Sequence, residues 1–126
     1  MKIRCDNGET IIVNVGEEFM PEHVKDFEKA LKECHIEEEA WLPYPVRFND
    51  PVPNGGIGVF RHKKSGKIII TENTMSDEWV IGIGSENNVE SLYNRVAKKL
   101  LKGKTGRERE DTKEVLEQLK NVLGIE

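Results

Sequence analysis

Cysteine is scarce in this chain, with two residues, Cys5 and Cys34, among 126. Two thiols cannot build a disulfide framework, so their expected role is that of small buried hydrophobes. Long apolar runs are missing as well. No stretch approaches the ~20 residues of a membrane-spanning helix, and charged residues make up 33% of the chain. No apolar leader with a small-residue cleavage site follows Met1, which makes a cytoplasmic location the expectation. Internal repeats and low-complexity tracts are lacking too. The length suits one hydrophobic core, and a single domain over 1–126 is expected.

What the chain does contain is clearest from Glu78 to Lys102, EWVIGIGSENNVESLYNRVAKKLLK. Trp79, Val80, Ile81 and Ile83 suit a strand, and Gly82 and Gly84 are read as a sharp corner. Asn87 then caps a helix, with Glu90 three residues on as its box partner. Val89, Leu92, Tyr93, Val96, Leu100 and Leu101 recur at helical spacing and line one apolar face.

Upstream, Lys2–Cys5 and Glu9–Val15 flank Asp6-Asn7-Gly8, the pattern of a β-hairpin. In its second arm Ile11, Val13 and Val15 share a face. Pro21 suits the first position of a helix running to about Cys34, with Phe19 and Val24 at staple spacing. Val24, Phe27, Leu31 and Cys34 form the apolar side of that helix.

The segment 37–55 then carries four prolines, Pro43, Pro45, Pro51 and Pro53, together with Trp41, Leu42, Tyr44, Val46 and Phe48. It is read as a proline- and aromatic-rich loop or edge. Either it wraps over the core or it presents Trp41, Tyr44 and Phe48 to a partner. Gly56–His62 and Lys67–Asn73 form a second hairpin, which the Trp79 strand extends to a three-stranded antiparallel meander. Past Leu101 come glycine breaks, capping pairs at Thr105/Glu108 and Asp111/Glu114, and a final helix containing Val115, Leu116, Leu119, Val122 and Leu123. The expected fold is therefore α+β: an N-terminal hairpin, a helix, the meander, and two C-terminal helices packed on the sheet.

The net charge of −4 is unevenly spread. Residues 1–60 carry six Lys/Arg against twelve Asp/Glu, whereas 95–109 carry seven basic residues and one acid. That run comprises Arg95, Lys98, Lys99, Lys102, Lys104, Arg107 and Arg109, and a smaller basic group is Arg61, Lys63, Lys64 and Lys67. If the fold joins the two groups, a local positive field persists on an acidic protein and attracts phosphates or an acidic partner.

Motifs for chemistry are few. Gly82-Ile83-Gly84 lacks both the third glycine and the βαβ context of a dinucleotide fingerprint, and Gly103-Lys104-Thr105 lacks the earlier P-loop glycine. Cys34 with His23, and Ser65 with His62, are the nearest nucleophile and base combinations, and neither sits in a glycine-flanked elbow. No catalytic residue is assigned. His23, His35 and His62 are scattered, so neither a metal site nor a cofactor is expected.

Two families share features with the chain. The α, βββ, α order from Pro21 to Leu101, with GIGS before the last helix, is similar in topology to a double-stranded-RNA-binding domain. That resemblance implies a lysine cluster at the helix start, where this chain has ENNVES. Residues 56–71, GIGVFRHKKSGKIIIT, look like the opening hairpin of GIY-YIG nucleases. Gly58 and an isoleucine stand where that family's tyrosines would be, and Arg95 aligns only loosely with its helical arginine. Neither resemblance amounts to membership.

Two functions follow as expectations. One is a non-catalytic protein that binds a phosphate-bearing ligand, nucleic acid or a small nucleotide, through the basic residues of 61–67 and 95–109. The other is a protein-interaction or inhibitor module, self-associating through its last helix or capturing a partner with the 37–55 loop. Small size, high charge and the lack of catalytic motifs suit an accessory protein of a phage or mobile element.

Overall fold

The computed structural model of the chain describes residues 1–19, 21–33, 37–45, 55–73 and 77–125. The side chains of Leu31, Cys34 and Phe48, named above for the helix face and the loop, lie outside the described set. The fold is α+β, with three helices and two antiparallel sheets among the described residues. Strands β1 (Lys2–Arg4) and β2 (Thr10–Ile12) pair as the expected hairpin, with Ile3 opposite Ile11. Helix α1 spans Pro21–Glu33, and Pro21 occupies its first turn, where the missing N–H has no partner to lose.

The larger sheet has four strands, one more than the sequence pattern suggests. β3 (Glu37–Pro43), β4 (Gly56–His62), β5 (Lys67–Asn73) and β6 (Glu78–Ser85) follow one another as a meander in chain order. The first seven residues of the expected 37–55 loop are thus a strand. Proline is tolerated here because β3 lies at the sheet edge and Pro43 is its last residue. The Tyr44 amide donates to the Gly55 carbonyl at 3.0 Å, closing the base of the excursion between β3 and β4.

Both faces of the sheet are covered, which explains the near-continuous apolar strands IIIT and WVI. On one face Ile57, Val59, Ile68, Ile70 and Ile81 pack with α2 (Val89–Leu101) and α3 (Gly106–Leu123). The other face carries Phe60, Ile69 and Val80, met by Ile3, Cys5 and Val13 of the hairpin and by Phe27 of α1. Cys5 is 1% exposed, the small hydrophobe expected of it. Beyond β2, Asn14 joins β6 as a parallel bridge: its amide donates to Glu78 and its carbonyl accepts from Val80, each at 2.8 Å. The hairpin is thereby tied to the start of the β6 edge.

Gly82 and Gly84 do not form a corner. Both lie within β6, and the turn into α2 is made by Ser85 and a 3-10 turn over Glu86–Asn88. Their lack of a side chain serves close packing instead. A Cβ on Gly82 would stand 2.6 Å from Cγ2 of Val96 and 2.8 Å from Cδ1 of Leu92. Ile81 is the extra residue of a β-bulge between the Ile70 and Thr71 pairs, so Ile81 and Gly82 both face the helix.

The helix starts do not use the expected capping bonds. Asn88, not Asn87, is the N-cap of α2, and neither it nor Thr105 before α3 makes a side-chain cap hydrogen bond. α3 is continuous from Gly106, with no restart at Asp111. Its first two turns are helical without an apolar residue, and there the Thr112 hydroxyl donates to the Glu108 carbonyl while Arg109 reaches back to that of Leu101. Val115, Leu116, Leu119 and Leu123 are all buried in the chain's own core. No helix is long and apolar enough to cross a membrane among the described residues.

Replacing Gly82 with alanine should cost about 1–3 kcal/mol through overpacking, since the clashing groups are short core side chains with little room to yield. Gly84→Ala, whose nearest contact would be 3.1 Å, should cost less. Chemical denaturation measures both; equal stabilities would show that α2 is not seated by these two positions.

Candidate functional site

Several cations of the two basic groups are taken up by the chain's own contacts. Arg61 is held between two carboxylates, Nε 2.8 Å from Glu39 and Nη1 2.9 Å from Glu86, and bonding to Glu39 raises its pKa first of all. Lys63 pairs with Glu37 at 2.9 Å. Lys99 pairs with Glu18 and stands 5.3 Å over the Phe19 ring, pinning the lead-in of α1 to α2. That hydrogen bond holds the Glu18 carboxyl below its usual range. Lys104 stands 5.5 Å over Tyr44 and donates to Thr112 at 3.3 Å, and Arg109 donates to the Leu101 carbonyl at 3.4 Å. Lys64, Lys98, Lys102 and Arg107 are exposed. Arg61, Lys63, Lys99, Lys104 and Arg109 are therefore engaged in the chain's own contacts.

Of the aromatics expected to meet a partner, Tyr44 is drawn inward. Its hydroxyl donates to Glu72 at 2.5 Å, and burial, followed by that bond, pushes its pKa up. Trp41 remains 44% exposed, over the side-chain-free surface at Gly56 on the face opposite Leu42.

One basic residue from each group does meet the other. Lys67 opens β5, Arg95 lies on α2, and both border a cleft of about 240 Å3 at the free end of the β6 edge. The local structure brings them there. The Ser65 amide donates to Nδ1 of His62 at 3.2 Å with the Ser65 hydroxyl 2.5 Å from the same nitrogen, and Gly66 adopts φ 72°. An N–H can only donate, so Nδ1 is the accepting nitrogen and the imidazole locks the β4–β5 turn. That is the role of the Ser65 and His62 pair: a turn clasp at the base of the strand. The turn is fastened to the next corner, because the Glu86 amide donates to the Gly66 carbonyl at 3.0 Å. Lys67 consequently pairs across the ladder with Ser85.

From the other side, Arg95 folds back along α2. Its Nε donates to the Ser91 carbonyl at 3.3 Å and Nη2 to the Ile83 carbonyl at 3.4 Å. The guanidinium thus reaches the β6 edge beyond the part occupied by Asn14. Ser85 and Asn88, whose side chains cap neither the 3-10 turn nor α2, border the same space. The opposing wall is α1, where His23 and Asp26, one helical turn apart, flank Phe27, and Ile83 completes the apolar floor. The cleft combines two cations, one carboxylate, an imidazole and two neutral hydrogen-bonding side chains. Nothing in the sequence marks His23, Asp26, Ser85 or Asn88 as belonging with Lys67, since only the docking of α1 beside β6 assembles them.

The far end of the same sheet face is acidic. Partial desolvation, then the neighbouring Glu9 and Glu78, raises the pKa of Glu38. Burial and then Glu38 push the Cys5 thiol up, which suits an unreactive core cysteine. No group of three or more His, Cys, Asp or Glu is placed to hold a metal ion among the described residues. Comparison with family models, with curated proteins and with solved structures finds no match for the chain, so neither family resemblance gains support.

A carboxyl whose folded pKa exceeds its unfolded value is protonated more readily in the native state. Its contribution is most favourable below the carboxylate range and is lost as pH rises through that range to the folded value. Glu38→Gln should therefore raise the melting temperature at pH 7, by a small amount because Glu38 is exposed and solvent screens its neighbours. The gain should vanish below about pH 4, where both proteins carry a neutral group. A pH-independent gain, or none at pH 7, would show that Glu38 is not strained by its neighbours.

Proposed function

We propose that the protein is a non-catalytic binding protein for a small phosphate-bearing ligand, held in the cleft between α1, the end of β6 and α2. The observation that carries this reading is the meeting of Lys67 and Arg95. They come from separate basic groups of the sequence and converge beside Ser85 and Asn88. Arg95 is held by two backbone carbonyls, so less side-chain freedom is lost when it takes up an anion. Most other cations of 95–109 are spent on internal contacts or spread over the helix exits, which favours a small ligand over a long polyanion. The apolar floor of Phe27 and Ile83 with a few convergent polar groups has the composition of a ligand site.

Inorganic phosphate titrated by calorimetry tests the proposal. Lys67→Glu and Arg95→Glu should each weaken binding by about 10- to 100-fold, the value of a charge-assisted hydrogen bond. Lys98→Glu and Lys102→Glu should leave it within about twofold. The opposite ranking, with single-stranded DNA or RNA binding and a steep salt dependence, would replace the small ligand with nucleic acid.

A second reading, as a protein-interaction module, is favoured by Trp41. An indole 44% exposed on the edge strand, next to the base of the proline-rich segment, is a suitable anchor for a partner. If this surface mediates self-association, Trp41→Ser should convert a dimer to monomer in sedimentation; a monomeric wild type would count against that form of it.

A further inference from the structure

The proposal that follows rests on the phosphate-site reading and sharpens it to a ligand class. We infer that the cleft takes a small phosphomonoester whose other end carries hydrogen-bond donors, rather than a bare anion or a polyphosphate. Three observations converge on this class.

The first is charge. A phosphomonoester has its second pKa near 6 and is close to dianionic at neutral pH. Lys67 and Arg95 match those two charges, whereas a diphosphate or triphosphate brings more than they neutralise.

The second is the presence of a carboxylate among the cleft's polar groups. The cations come from β5 and α2, and Asp26 with His23 comes from α1. An ionised carboxylate has only acceptors to offer, so an oxyanion gains nothing from it and is repelled. A hydroxyl or an ammonium group satisfies it. The arrangement is complementary to a dipolar molecule with its phosphate toward Arg95 and its donors toward α1.

The third is size and floor. A cleft of about 240 Å3 falls below the range of roughly 300–1,000 Å3 usual for drug-sized ligands. Phe27 and Ile83 offer a C–H surface for a short carbon skeleton. A sugar phosphate and an amino-alcohol phosphate share this chemistry, the first presenting hydroxyls to Asp26 and the second an ammonium.

Four probes titrated by calorimetry against the full chain decide the matter: methyl phosphate, ribose 5-phosphate, O-phosphoethanolamine and pyrophosphate. Methyl phosphate keeps the charge and lacks donors. Ribose 5-phosphate or O-phosphoethanolamine should bind at least about tenfold more tightly than methyl phosphate, the value of one hydrogen bond to a charged group. Whichever is tighter identifies the donor. Pyrophosphate should be weaker than either.

Asp26→Asn supplies a crossing readout. It should erase the advantage of the donor-bearing esters while leaving methyl phosphate binding equal or stronger, since a repelling charge is gone. Asp26 is exposed, and circular dichroism checks that the variant folds. If methyl phosphate matches the larger esters, or if Asp26→Asn strengthens all four alike, the ligand class is wrong and the anion site stands. If none of the four binds, the anion site falls with it.

Discussion

The seat of α2 on β6 is the contact on which the other arrangements depend. Leu92 and Val96 occupy the space that side chains at Gly82 and Gly84 would fill, which brings the helix axis close to the strand. Van der Waals attraction falls steeply with separation, so this proximity lets a 13-residue helix hold three fully buried residues, Leu92, Val96 and Leu100, against the isoleucines of β4 and β5. α3 then closes over the same core. Close seating also sets the height of Arg95 above the β6 edge, where its guanidinium reaches the Ile83 carbonyl. A helix displaced outward by a methyl group would lift that side chain off the edge.

The second face is covered differently. The hairpin contributes Ile3, Cys5 and Val13, whereas α1 contributes Phe27 as its one fully buried residue among the described side chains. The lead-in to α1 is fastened to α2 by Lys99 through Glu18 and Phe19, a contact that bridges the two layers around the sheet edge. The cleft lies between these layers, where the edge of β6 is covered by side chains and not by another strand. A polar cleft at such a place is physically reasonable: the strand's remaining carbonyls need donors, and Arg95 supplies one.

Much of the fold was legible in the residues themselves. The Val89–Leu101 periodicity, the Asp6-Asn7-Gly8 turn and Pro21 at a helix start each correspond to an observed element, because each is a local backbone preference acting within a few residues. Strand β3 is hidden by Pro43 at its end and by the prolines that follow it, which argue against a central strand and are silent about an edge. The GIG glycines suggest a corner in sequence and serve close packing in the fold, because sequence shows the absence of a side chain and not the reason for it. The capping pairs misled for a related cause: the 3-10 turn over Glu86–Asn88 shifts the start of α2 past Asn87.

For the site, the sequence by itself determined the inventory: two basic groups, no metal-ligand spacing, no strained nucleophile, and aromatics collected around Trp41. Only the tertiary structure decided which cations are available. Arg61, Lys63, Lys99 and Lys104 find acids or rings that lie far away in sequence, with Glu18 and Lys99 separated by 81 positions, and Arg109 turns back to the Leu101 carbonyl. Charge pairing depends on distance in space, and a net count along the chain is blind to it. The same holds for Lys67, Arg95 and Asp26. Their residue types allow anion binding and donor recognition, but their presence in one cleft follows from sheet register, from the Gly66 turn and from the close seat of α2.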